Sequence, residues 1–467
     1  MKPFCESACD RYSRLFEPSD RPSDLPAYRT ALTDLGRSMI DDGTRLSDER
    51  PEILLDAGYT YFGQFLAHDL TKDTSSVEDA WQSSPQELPN LQTPRLDLNV
   101  LYGAGPDASP ELYERDGVRL KVGAAGTATK HFDVCVGQNG TRMLADDRGA
   151  ENMVLRQMTA AFARLHNFAV DQFEPDNHDS EVVFARARSH TCRQFQYLVV
   201  HDYLQSVLDP KIYQRIFIAG EAEVKWHSFS IPIEFSAAAM RFGHAMVRPN
   251  YLFSFGNELF LEQILGKTAD RGSLDDHHKI SWGLFFQGAG PEATLTSRPI
   301  DTRLAPAFQD LPPDLIGTPE PKCPFARLAG HPSQLAVRTL LRGAGLRLAS
   351  GQAAAQACDE ELLTEEELTT NSLGNETAPG QILRERGLTD KTPLWYYILK
   401  ESEVRQNGNR LGAIGSRIVG ETIHAALLAD GESILNEPAG SPPIWKLPDG
   451  SIRIYRFSEL FRLIDLL

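Results

Sequence analysis

The sequence predicts a mainly α-helical protein with few short strands, organised as one large domain over residues 1–467. Three observations predict it. From Glu151 onward Val154, Met158, Ala161, Leu165 and Phe168 recur every three or four positions, which predicts a helix to about Phe173 with Asp146 or Asp147 as N-cap. The same spacing of apolar residues predicts helices over Glu181–Leu208 and Glu234–Val247. In the second of these Ala237, Met240, His244 and Val247 form one stripe, so His244 sits on an apolar face. Strand-like alternation is scarce, and no internal repeat or long low-complexity tract interrupts the chain.

The other elements follow the same logic. Tyr59–Leu70 is apolar and helix-compatible, whereas residues 74–97, rich in Ser, Pro and Asp, read as loop. Further helices are predicted over Gln334–Leu341, Glu360–Thr369, Pro393–Val404 and Ile414–Leu428. Residues 360–380 are acidic and polar and read as a surface excursion, with the Glu360–Glu367 carboxylates on an exposed helix face.

Composition narrows the class. Lys and Arg number 47 against 64 Asp and Glu, a net charge of −17, which repels phosphate backbones and argues against nucleic acid as a partner. The mean hydropathy of −0.32 and the absence of a long apolar run predict no transmembrane segment. The first residues, Met1-Lys2-Pro3-Phe4-Cys5-Glu6, carry no basic start followed by an apolar stretch, so no signal peptide is expected. The predicted location is cytoplasmic, or outside the cell by a route that needs no cleavable signal. Six scattered cysteines, without a CxxC, predict free and mostly buried thiols rather than a disulfide framework or a zinc site.

Candidate chemistry lies in three separated places. On a helix, Gln64 and His68 share a face, while Asp69 points elsewhere, so the histidine and its neighbouring carboxylate can serve different sites. Arg148 and Glu151, three apart at a helix start, can equally be an ordinary surface ion pair. A histidine such as His244 on an apolar stripe is most often a satisfied core residue. Asp275-Asp276-His277-His278 reads as a solvated surface cluster, and Gly103-Ala104-Gly105 and Gly288-Ala289-Gly290 read as turns, since neither continues into a nucleotide-binding GxGxxG. Spacing alone does not join the three places.

A family resemblance does. Phe62-Gly63-Gln64-Phe65-Leu66-Ala67-His68-Asp69-Leu70 resembles the distal-histidine motif of animal-type haem peroxidases, the peroxidase–cyclooxygenase superfamily, most closely its bacterial branch. In chain order, Leu96–Gly103 resembles the family's calcium loop, Asp147–Asn152 its distal-arginine motif, and Arg164–Asn167 and His201–Leu204 two of its helical segments. Arg241-Phe242-Gly243-His244 resembles the proximal-histidine motif. Leu340–Gly343 with Ser350–Gln352, and Arg410–Gly412 with Gly415–Val419, are similar to two later segments. The resemblance covers about residues 10–435.

The resemblance implies a haem b held between distal and proximal helices, hydrogen peroxide as oxidant, and a small-molecule electron donor. His68 is then the general acid–base, Arg148 the stabiliser of the departing oxygen, Gln64 the holder of distal water or substrate, and His244 the axial ligand of the iron. Thr339 stands where the family has an asparagine that accepts from the proximal histidine, and Arg241 and Arg342 are implied to adjoin the cofactor. Calcium is implied with Asp69, Thr93, the carbonyl of Arg95, Asp97 and Asn99 as ligands, all hard oxygen donors.

Three departures refine this. Ala67 replaces the aspartate through which relatives attach haem as an ester, and Glu151 remains, so at most one ester is expected. Asn152 replaces the methionine of a third covalent link, which weakens the case for strong chloride oxidation. Thr339 puts the iron's potential in doubt. Fatty-acid dioxygenases of the same superfamily place a radical-forming tyrosine where this chain has Arg241, so peroxidase activity is favoured over dioxygenation. A haem-binding redox sensor without turnover is the non-enzyme alternative.

Overall fold

A computed structural model describes residues 11–41, 52–82, 88–123, 132–137, 140, 142–176, 179–222, 229–265, 272, 274–312, 315, 333–371, 373–436, 441–448 and 450–466. It is mainly α-helical, with three two-stranded antiparallel ribbons among the described residues, Val122–Gly123 with Asp133–Val134, Asn250–Ser254 with Asn257–Phe260, and Ile444–Leu447 with Gly450–Arg453. One continuous apolar cluster runs from Tyr12 to Ile464. No helix among the described residues is long and apolar enough to cross a membrane.

Helix α1, Leu25–Ser38, which the sequence pattern did not predict, is capped by Asp24 and packs along α5, Leu335–Gly345. Helix α2, Gly58–Leu70, carries the His68 motif. It is driven inward by Phe62, Phe65 and Leu66, all at most 2% exposed, and each such burial contributes roughly 1.5–3 kcal/mol. Gly63 is required here. A Cβ at this position would collide with the Tyr203 hydroxyl, so only glycine lets the tyrosine lie on the α2 backbone.

Helix α3, Met153–Phe173, begins later than predicted, because Asn152 and not Asp146 or Asp147 caps it, accepting from the Leu155 N–H at 2.7 Å. Asp146 instead caps the preceding 3-10 turn, Asp147–Ala150. Helix α4, Ser180–Leu198, continues as a π-helical turn, Val199–Leu204, so the predicted Glu181–Leu208 helix holds with a local change of pitch. Helices α6, Leu394–Arg405, and α7, Ala413–Leu428, fall close to their predicted bounds. Helix α8, Phe457–Leu466, closes the fold against α3 and was not predicted.

The predicted Glu234–Val247 helix is broken. It consists of Ile233–Ala237, a 3-10 turn Ala239–Phe242 and a short turn Gly243–Met246, with Ala238 at φ −133° and ψ −67° interrupting it. Of the predicted Glu360–Thr369 helix only Glu365–Thr369 forms, capped by Thr364. Glu365 and Glu366 face solvent, Glu367 is half-buried and bonded to Arg405, and Leu363, Leu368 and Thr369 are buried, so the acidic stretch is pinned at several points. Of the cysteines among the described residues, Cys192 is buried while Cys135 and Cys358 are half-buried, fewer buried thiols than predicted; Cys5, Cys9 and Cys323 lie outside the described residues.

An N-terminal strap ties these parts together. The Ser13 N–H donates to the Ile231 carbonyl and the Ile233 N–H to the Ser13 carbonyl, both at 2.9 Å. Arg11 pairs with Pro89, the Leu15 N–H reaches Glu234, and Ser19 donates to Leu348 at 2.7 Å. The strap joins the segment after α2, the broken proximal segment and the end of α5.

Candidate active site

The C-terminal end of α2 exposes carbonyls that lack intrahelical partners, and a cation there is favourable. Arg148 fills this role. Its Nη2 donates to the His68 carbonyl at 3.0 Å and its Nη1 to the Thr71 carbonyl at 2.8 Å. Asp146 holds the other side of the guanidinium, at 3.0 Å to Nε and 2.7 Å to Nη2. The contacts with Arg148 hold the Asp146 carboxyl well below the usual carboxylate range in spite of its burial. Arg148 and Glu151 are therefore not each other's partners. The 3-10 turn sends one towards the helix end and the other towards the His68 ring.

Glu151, Gln64 and Asn152 form a second network on the same face. Gln64 Nε2 donates to Glu151 Oε2 at 2.9 Å, and Asn152 Nδ2 donates to Gln64 Oε1 at 2.9 Å. His68 Nε2 lies 3.6 Å from the same Glu151 oxygen. Burial pushes the Glu151 carboxyl up to about 7, Arg148 and the Gln64 hydrogen bond opposing it and Asp146 and Asp147 adding to it. Burial foremost, then Arg148 and Lys72, lower the His68 imidazole well below its ordinary value, so it is neutral at pH 7. Sequence reasoning named Asp146 as a candidate cap and Asn152 as a departure from the family, and missed their bonds to Arg148 and Gln64. Their signal was present, an asparagine and an aspartate flanking a helix start, where side-chain acceptors are favoured.

Around His244 the arrangement is sparser. The ring lies 6.1 Å from Trp395 and 6.4 Å from Phe308, centroid to centroid. Its Nδ1 is buried without a hydrogen-bond partner among the described residues. Burial and the nearby Arg241 lower its pKa to about 3. Thr339 stands where the family resemblance implies an asparagine acceptor, and no bond from the ring to it is formed. The Thr339 hydroxyl donates to the Leu335 carbonyl one turn back at 2.9 Å, the usual way a mid-helix threonine is satisfied. Arg342 is likewise occupied, by Asp73 and by the Ser75 carbonyl at 2.8 Å. Arg241 donates to the Ser236 carbonyl at 3.1 Å and lies in the field of Arg342 and Arg338, with Asp73 opposing. Trp395 Nε1 fixes the Arg241 carbonyl at 3.1 Å.

The two sides converge. The turn bearing His244 packs against α2. Tyr12, on the strap, is within electrostatic reach of Arg148 from the one side and of Arg342 and Asp73 from the other.

About a third of a turn along α2 from His68, Asp69 is fully buried. One of its oxygens accepts from the Leu98 N–H at 3.2 Å, and Oδ1 has no partner among the described residues. Thr93 Oγ1 donates to Asp97 Oδ1 at 3.1 Å, Asn99 Nδ2 donates to Thr93 Oγ1, and Asn99 Oδ1 is also buried and unpartnered. Leu98, at φ 55°, turns the loop so that Asp97 and Asn99 fold back towards Thr93. Burial raises the carboxyls of both Asp69 and Asp97, and the two repel each other. Arg95 is exposed beside this cluster. Asp275 and His278 pair at 2.6 Å at the surface, and no group of three or more His, Cys, Asp or Glu side chains able to hold a metal gathers among the described residues.

The animal haem peroxidase family matches residues 74–263, a stretch that holds Thr93, Asp97, Asn99, Arg148, Glu151, Arg241 and His244. Over 192 residues the chain is 24% identical to thyroid peroxidase of Canis lupus familiaris, which covers 36% of this chain and 20% of that protein. Over 185 residues it is 25% identical to the Mus musculus protein of the same name, with the same coverage. The match thus spans about a fifth of the length of these curated relatives. Peroxidase A from Dictyostelium discoideum superposes with a TM-score of 0.59 at 18% identity, over 89% of this chain and 88% of that one. Fatty acid alpha-dioxygenase of Arabidopsis thaliana superposes with a TM-score of 0.66 at 13% identity, over 98% and 76%. At these identities the superpositions show a shared fold. The chain thus carries a segment, residues 74–263, that matches the animal haem peroxidase family, within a fold shared with peroxidase A and the fatty acid alpha-dioxygenase.

Proposed function

We propose that the chain is a haem-dependent peroxidase that uses hydrogen peroxide to oxidise small donors, phenols, aromatic amines, halides or pseudohalides, in one- or two-electron steps. The observation that carries this reading is the convergence of a neutral His68, Gln64 and Glu151 beside Arg148 at the end of one helix.

The residues fit a haem. His244 has a buried ring nitrogen without a partner and nearby cationic side chains, as suits an axial ligand beside an anionic porphyrin. Arg241 and Arg342 would adjoin the porphyrin carboxylates. Bound haem would supply the oxidising equivalents. The rest is the protein's work. Neutral His68 takes a proton from one peroxide oxygen and returns it to the other. Gln64, held by Asn152, orients the incoming molecule. Arg148 stabilises charge on the departing oxygen, although Asp146 offsets part of its field. Ala67 leaves Glu151 as the single candidate for an ester to haem.

The loop beside α2 fits calcium. Two orphaned buried oxygens, on Asp69 and Asn99, and two mutually repelling carboxyls are what a hard cation would relieve. Asp69, Thr93, the Arg95 carbonyl, Asp97 and Asn99 would hold it, and so stiffen the helix end that carries His68.

The test is the absorbance spectrum of purified protein before and after peroxide, followed by turnover of a dye donor. A Soret band that responds to peroxide, with turnover, is expected. A band without turnover supports a redox sensor, and its absence ends the haem reading. Oxygen uptake with a fatty acid and no peroxide would support dioxygenation, which Arg241 in the tyrosine position argues against.

A further inference from the structure

The π-helical turn Val199–Leu204 has no part in the peroxide chemistry, yet π-turns interrupt α-helices mostly where function requires it. This one aims two side chains at α2. Tyr203 sets its hydroxyl on the α2 backbone at Gly63, next to Gln64. Asp202 accepts a 2.7 Å hydrogen bond from the Tyr59 hydroxyl, and the Tyr59 and Tyr203 rings lie 6.1 Å apart. The second Asp202 oxygen accepts from the Phe457 N–H at 2.7 Å, two residues beyond Tyr455. Tyr197, within electrostatic reach of Asp202, lies 6.0 Å from the Tyr455 ring, and Tyr455 is 47% exposed. Two tyrosine pairs, Tyr203 with Tyr59 beside the His68 helix and Tyr197 with the exposed Tyr455, thus flank one carboxylate, Asp202, which is bonded to Tyr59.

From this arrangement we infer that Tyr203, Tyr59, Tyr197 and Tyr455 form an electron relay through which phenolic or arylamine donors too bulky for the cleft are oxidised at the surface beside Tyr455. The inference rests on the peroxidase reading. A buried phenol loses an electron readily only if its proton has somewhere to go, and Asp202 provides that acceptor. One electron leaves Tyr59 by way of Tyr203 for the peroxide-oxidised haem, and its proton crosses the 2.7 Å bond to Asp202. An electron from Tyr455, passed through Tyr197, restores Tyr59, which takes its proton back from Asp202, while the exposed Tyr455 hydroxyl releases its own proton to water and is left as a neutral radical. The surface donor then gives Tyr455 one electron and one proton and departs as a radical. The hydrogen bond and ring contact of Tyr455 among the described residues go to Glu459 and Tyr197, not to the residues around His68 or His244, so its replacement spares the cleft.

The experiment treats haem-loaded protein with peroxide and a nitroso spin trap, records the electron paramagnetic resonance spectrum, and maps tagged peptides by mass spectrometry. A tyrosyl signal and a tag on Tyr455 are expected. In Tyr455→Phe the tag at that peptide disappears, and oxidation of a phenol immobilised on a polymer too large for the cleft falls to background, while free small phenols turn over as before. In Tyr59→Phe the tag at Tyr455 is lost although Tyr455 remains; a circular dichroism spectrum shows that this variant is folded. A haem band that responds to peroxide with no tag at Tyr455, or a tag that survives Tyr59→Phe, overturns the relay and leaves the peroxidase reading intact. A haem band that does not respond to peroxide removes both.

Discussion

The surroundings of the two histidines differ in how much the protein completes unaided. Around His68 the side chains of Gln64, Glu151, Asn152, Arg148 and Asp146 satisfy one another in two linked networks. Around His244 a ring nitrogen is left without a partner, the neighbouring helix is broken at Ala238, and Thr339 is turned to its own carbonyl. The first side is organised before any ligand arrives, as a site for charge development must be. The second, on the proposed reading, would be completed by the haem it holds.

The largest effect expected from this contrast is on His244→Ala, which should lose the Soret band altogether. His68→Ala should keep it and lose turnover by about 10²–10⁴-fold, the usual worth of a positioned acid–base group. Equal haem loss in both variants would erase the distinction. Next comes calcium. Asp69→Ala, or a chelator, should weaken haem retention and lower activity, read by haem release to apomyoglobin; full activity in calcium-free protein would remove the cation from the site. Thr339→Asn should offer His244 the acceptor it lacks and raise haem affinity by up to about tenfold, the lower end of such outer-sphere effects. An unchanged affinity and reduction potential would show that position 339 does not reach the ring.

The smallest effect concerns pH. Glu151 and Glu401 each titrate at about 7 in the folded chain against 4.5 ordinarily, both chiefly through burial. Between those values the folded chain holds protons that the unfolded chain releases, so each group's contribution falls as pH rises through the window and levels off above 7. Haem-free Glu151→Gln and Glu401→Gln should therefore gain melting temperature relative to the parent from pH 4.5 to about 7, with no difference at the acid end. The distal variant should also lose turnover, whereas the variant on α6 should not.

The same contrast explains what the sequence disclosed. The helices carrying Gln64, His68 and the residues after Asn152 were legible because their apolar spacing is regular and their chemistry is local in the chain. The grouping of Thr93, Asp97 and Asn99 was legible from the family's loop. The break at Ala238 was not, since the stripe through Met240 and His244 is as regular as in an intact helix, and long-range packing decides against it. Thr339 misled for a related reason. Only the family resemblance set it towards the histidine, and the competing carbonyl of Leu335 becomes visible only when α5 is built. Helices α1 and α8, and the strap, were missed because their partners lie hundreds of residues away.

That strap has a consequence for how the molecule is assembled. Ser13 and Arg14 bond to partners 217 and 333 positions later in the chain. Each of these bonds closes a loop of more than 200 residues, yet each doubling of such a loop costs only about 0.6 kcal/mol more. The clip is therefore little burdened by its span at equilibrium, while its two ends are slow to meet, as contacts distant in sequence are.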